Sequence, residues 1–152
     1  MSPSKSKDRL IPILFRYFMA ASLMSQEFYR HLADPKDAAL HRGDGMAFMV
    51  SKAGLKMCLW YGMLYVVIEG WHEVGLSDPE VDRLLTSPNT KRLKQFRNGM
   101  FHFQKDHWLP AKFADFFVPA NQTVDWVLAL TGELRRYLTA EMNRISSKPA
   151  AP

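Results

Sequence analysis

Arg97, Asn98 and His102 bring a guanidinium, an amide and an imidazole together on one short stretch of the chain. A guanidinium stays charged and offers a phosphate two N–H groups in a matching plane. An imidazole titrates near neutral pH, so it can take a proton and return it. Fixed positive charge beside a reacting phosphate stabilises the charge that develops there. Lys94 and Lys105, with Lys91 and Arg92, add a local basic density that suits an RNA backbone and equally suits the ordinary surface of a soluble helix.

The element that must carry these groups runs from Lys91 to Asp106. Thr86-Ser87-Pro88-Asn89 reads as its start, with Ser87 as cap and Pro88 in the first turn. The helix is expected to reach about Phe103. Leu93, Phe96, Met100 and Phe103 recur at three- and four-residue spacing and make one core-facing stripe. At about 100° per residue, Lys94, Asn98 and His102 form a polar row on the far side. Arg97 lies on the flank, about 140° from His102. The two groups meet at one atom only if long side chains curl round the helix, or if a second copy supplies the other half. Phe101, exposed between them, suits a two-fold contact. Read from the residues alone, the row is also what a solvated helix face looks like.

The remaining elements follow from periodicity and turn chemistry. Residues 1–8 are expected to be a disordered tail. A helix is expected from Arg9 to Leu32, with Leu10, Leu14, Tyr17 or Phe18, Ala21, Met24 or Ser25, Phe28 and Leu32 on one side and Pro12 in the first turn. Asp34-Pro35 and Gly43-Asp44-Gly45 mark a long connection, in which Ala38-Ala39-Leu40 suits a short helical turn. Met46–Val74 reads as the most apolar helix. Its Gly54, Cys58 and Gly62 make a small-residue stripe that admits a close neighbour, and Gly75 suits a left-handed cap. Ser77 to Glu80 has capping-box spacing and opens a short helix through Leu85. A short helix over Ala111–Phe117 is expected, then a long one from Pro119 to Ile145 with Val124, Val127, Leu128, Leu130, Leu134, Tyr137, Leu138 and Met142 on its apolar face. Residues 146–152 read as a second disordered tail. The fold class is all-α: one domain over residues 9–145, with four main helices and one or two short ones.

Composition narrows the function classes. A chain of 152 residues that is 47% hydrophobic, with 10 Phe, 9 Met and 4 Trp, fills one wide core, or a core and a buried interface. The net charge of +5 is compatible with a polyanionic partner and does not require one. Cys58 is the sole cysteine, so no intramolecular disulfide forms. It reads as a buried filler, consistent with a reducing cytoplasmic location. The longest uncharged apolar run, Met57 to Ile68, is too short to span a bilayer, so no membrane association is expected. The five histidines never take metal-ligand spacing with cysteine or paired carboxylates, and no phosphate-cradling glycine loop is present. No metal and no cofactor are expected. Glu69 or Glu73 is a candidate carboxylate beside Arg97, although the pair also reads as a solvated helix end, and His107 is a candidate second acid or base that also reads as a cation capping a helix terminus.

Arg97-Asn98-Gly99-Met100-Phe101-His102 resembles the Arg-polar-x3-His motif of the HEPN superfamily of small all-α nucleotide-binding domains. The wider run Phe96 to Gln104 resembles the aromatic-flanked form of that motif. The resemblance implies a HEPN-like helical bundle, and a metal-independent endoribonuclease acting as a homodimer whose two motifs meet in a cleft. It implies that Arg97 binds the scissile phosphate. His102 would act as base or acid for attack by the ribose 2′-hydroxyl, and Asn98 would orient the histidine or hold the substrate. A toxin or defence role with an antitoxin protein partner is one implied setting. A non-catalytic module that binds RNA, nucleotide or a protein partner is the other.

Overall fold

In the computed structural model, which describes residues 3–36, 45–102 and 115–148, the chain is an all-α bundle with no strand among the described residues. Four long helices form its body: α1 (Pro3–Leu32), α3 (Lys52–Val74), α5 (Pro88–Phe101) and α6 (Thr123–Ser146). Among the described residues, two short helices, α2 (Gly45–Val50) and α4 (Pro79–Leu85), and a 3₁₀ turn at Pro119–Asn121 lie between them. The expected helical turn at Ala38-Ala39-Leu40 and most of the expected Ala111–Phe117 helix lie outside the described residues.

α3 is the central element. Twelve of its side chains or backbones are buried, from Ala53 to Trp71. α1 runs antiparallel along it: Phe28 stacks near Trp60, Leu14 lies over Gly70, and the Lys7 amine donates to the Gly75 carbonyl. α6 closes the other side, with Val127, Leu130, Leu134 and Leu138 fully buried and Tyr137 edge-on to Trp71 at 4.8 Å. Removing this apolar surface from water is the main stabilising term.

Several expected boundaries shift, each for a local reason. α1 begins at Pro3 rather than Arg9. Its first turns are tied to the far end of α6, because the Asp8 carboxylate accepts from Arg144 and Lys148. Pro12 therefore lies inside the helix and not in its first turn. The buried side of α1 is Ile11, Leu14, Phe18, Ala21 and Phe28, while Leu10 and Leu32 are exposed. The expected Met46–Val74 helix is two helices, because Ser51 turns extended and caps α3, its hydroxyl accepting from the Gly54 N–H at 3.0 Å. A Cβ on Gly54 would sit 2.0 Å from the Phe48 carbonyl oxygen, so this glycine admits the α2 backbone. Gly75 takes the left-handed cap, with φ 67°. α6 starts at Thr123, after the Pro119 3₁₀ turn and a left-handed Gln122, and this start turns Trp126 inward and leaves Val124 and Leu128 exposed. Cys58 is buried, and burial pushes its thiol up to about 12.

The cap of α4 is Asp78, not Ser77. The Asp78 carboxylate accepts from the Glu80 and Val81 amides. Ser77 turns instead to Asp82, whose carboxylate accepts from the Ser77 hydroxyl, the Asp78 amide and the indole of buried Trp71 at 3.0 Å. These bonds, the Ser77 hydroxyl foremost, hold Asp82 below the usual carboxylate range, as the Arg136 guanidinium does for Asp78. A lowered folded pKa means stability that is present above the unfolded value of about 3.9 and lost as the pH falls through the folded one. Acid unfolding is thus expected to begin below about pH 4. Asp82→Ala orphans the Trp71 N–H and is expected to cost about 1–3 kcal/mol by urea denaturation at pH 7, with a weaker response to acid than the wild type.

Candidate active site

α5 is seated on α3 by aromatic packing. Phe96 is fully buried, edge-on to Tyr61 at 5.6 Å and beside Phe116 at 5.1 Å. Leu93 is buried one turn before it and Met100 packs partly buried against the core, so the described part of the expected stripe faces inward. The helix starts as expected, with the Ser87 hydroxyl accepting from the Asn89 N–H and Pro88 in the first turn. Asn89 anchors the same end, donating to the Asn121 carbonyl at 2.9 Å and accepting from Arg92.

Seating Phe96 inward sets Arg97 on the flank that faces α3. One guanidinium nitrogen donates to the Asn98 amide oxygen at 3.0 Å, and the other lies 3.9 Å from the Glu69 carboxylate. The Arg97 side chain is 29% exposed and that of Glu69 46%. Such an open pair contributes little to stability, but it fixes the direction of a long side chain. Of the two carboxylates considered, Glu69 is the one beside Arg97. Asn98 orients the arginine, and its amide oxygen is engaged there. Lys94 is exposed one turn before Asn98.

Tyr65 also belongs to this cluster. It is buried on α3 one turn before Glu69. Burial raises its pKa, the Glu69 carboxylate raises it further and the Arg97 guanidinium opposes both. It falls within an apolar run and looks like core. Its four-residue spacing to Glu69 is the feature that could have drawn notice.

α5 ends at Phe101, short of the expected Phe103. His102 is the cap: its N–H donates to the Asn98 carbonyl at 3.2 Å, and its backbone is extended, with φ −112° and ψ 131°. Two causes converge. Gly99 weakens the last turn by about 1 kcal/mol relative to alanine. Phe101, although 52% exposed, lays its ring on Gly62 of α3, where an added Cβ would meet it at 2.2 Å. The small-residue stripe thus receives α2 at Gly54 and the end of α5 at Gly62. Because His102 has left the helix, the expected 140° separation from Arg97 no longer applies to it, and its exposed imidazole is carried by an extended residue. Phe103, Lys105 and His107 lie outside the described residues.

Among the described residues, no three His, Cys, Asp or Glu groups gather into a metal-binding cluster, and no helix is long and apolar enough to cross a membrane. The chain matches no family model, and no curated protein or solved structure is similar to it.

Proposed function

We propose that this chain is a HEPN-like, metal-independent endoribonuclease of the cytoplasm, working as a homodimer and suited to a toxin or defence role held in check by an antitoxin protein. The observation that carries the reading is the Arg97 guanidinium, steered by Asn98 and Glu69 at the end of the helix from which exposed His102 emerges. Arg97 holds the scissile phosphate. An imidazole removes the proton of the ribose 2′-hydroxyl, whose oxygen bonds to phosphorus as the bond to the 5′-oxygen breaks. The leaving oxygen takes a proton, and the products are a 2′,3′-cyclic phosphate and a 5′-hydroxyl. Two copies of the chain would supply one imidazole for each proton transfer. Lys94 and Lys105 would hold flanking phosphates.

The Glu69 carboxylate offsets part of the charge on Arg97, and this favours a second reading: a non-catalytic module that binds RNA, nucleotide or a protein partner. Arg97→Ala and Arg97→Lys separate the two. On an end-labelled RNA, Arg97→Ala is expected to lower kcat/KM by at least about 100-fold. Lysine keeps the charge but not the two-pronged geometry, and should recover only a small part. Equal cleavage by all three proteins removes Arg97 from the chemistry. Binding that weakens in Arg97→Ala, with no cleavage by any of the three, supports the second reading.

A further inference from the structure

The outer face of α3, between α1 and α5, carries an apolar stripe with charged ends. Leu55 is 51% exposed and Leu59 40% exposed, and Val66 continues their line. The face is bordered on one side by the exposed Ile13 of α1 and on the other by the Phe101 ring lying over Gly62. Single exposed apolar residues are ordinary, but a stripe shared by three helices marks a contact surface.

The charge order along α3 identifies the partner. Lys52 and Lys56 stand at its N-terminal end, Glu69 and Glu73 at its C-terminal end. Taken about a point between Gly62 and Met63, Leu59 mirrors Val66, Lys56 mirrors Glu69 and Lys52 mirrors Glu73. A second α3 laid antiparallel across this point would meet apolar with apolar and lysine with glutamate along its length. A two-fold contact requires that kind of self-complementarity, in which each residue meets the counterpart of its own partner. Among the described residues, no ion pair within the chain uses Lys52, Lys56 or Glu73.

We infer that this face is where a second copy of the chain packs, with the α3 helices antiparallel and the two-fold axis passing by Gly62. The inference rests on the ribonuclease reading for its purpose and extends it. Phe101 sits on Gly62, so His102, the next residue, lies close to the axis in both copies. Lys56 of the second copy would approach Glu69 and compete with Arg97 for that carboxylate, leaving the guanidinium available to a phosphate. The site is thus completed by the partner.

Charge reversal tests the register. Lys52→Glu and Glu73→Lys each turn two symmetry-related attractions into repulsions. By sedimentation equilibrium on the full chain at low salt, each variant is expected to dimerise at least about tenfold more weakly than wild type. An equimolar mixture of the two variants, or the Lys52→Glu/Glu73→Lys double variant, should recover the wild-type dimer. Leu59→Asp is expected to be monomeric while keeping the helical circular dichroism of the wild type. The proposal is overturned by a monomeric wild type, by single variants that dimerise as wild type does, or by no recovery on mixing. RNA cleavage by the same samples separates this proposal from the reading beneath it. A dimer with the expected charge dependence and no cleavage sinks the ribonuclease alone. Cleavage by a dimer indifferent to these charges sinks the surface alone.

Discussion

Exchange of His102 for alanine is expected to lower RNA cleavage by roughly 10²–10⁴-fold, the usual contribution of a positioned acid or base, with no loss of fold. His102 caps α5 through its backbone N–H, which alanine keeps, and its side chain stands outside the core. The loss should fall on kcat more than on KM if, as proposed, the imidazole moves protons while Arg97 and the lysines hold phosphate. A thermal melt unchanged within about 2 °C, together with lost cleavage, assigns the chemistry to the imidazole. Retained cleavage moves it elsewhere in the chain.

Phe96→Ala is expected to carry the largest stability cost near the site, about 3–5 kcal/mol for truncating a fully buried phenylalanine. Phe96 is the side chain by which α5 grips the bundle: its ring closes a triangle with Tyr61 and Phe116, and Phe117 packs edge-on to it. A domain of this kind holds about 5–15 kcal/mol in all, so one substitution removes a large share. The melting temperature should drop by roughly 10 °C. Cleavage should also fall well below the unfolding temperature, since Arg97 follows Phe96 and its aim depends on how α5 is seated. A variant that melts within about 3 °C of the wild type would show that α5 is held by other contacts.

The core stripe of α5 was legible because period and residue type agreed: Leu93 and Phe96 are apolar, evenly spaced and buried. Gly54 and Gly62 were legible as places of close approach, and their neighbours, Phe48 and Phe101, needed the fold to name. What periodicity could not reveal were breaks made by single side chains. Ser51 divides an unbroken apolar pattern because its hydroxyl captures the Gly54 amide. Asp78 displaces Ser77 as the cap because its carboxylate accepts from the Glu80 and Val81 amides, while the Ser77 hydroxyl donates to Asp82. The exit of His102 from α5 depends on Phe101 finding Gly62, a contact between residues far apart in sequence. At the site, Glu69 beside Arg97 was an open choice between two carboxylates, while Tyr65 was hidden in the apolar run that surrounds it.

The chemistry of the cleaved ends decides whether this chain is the proposed ribonuclease. Purified wild type and His102→Ala are incubated with a single-stranded RNA in excess chelator, and the products are resolved by mass spectrometry. The wild type is expected to give fragments ending in 2′,3′-cyclic phosphate and 5′-hydroxyl, the variant almost none, and neither protein any at a position where the ribose is replaced by 2′-deoxyribose. Intact RNA with the wild type, cleavage that stops when the chelator is added, or 5′-phosphate ends would contradict the ribonuclease reading.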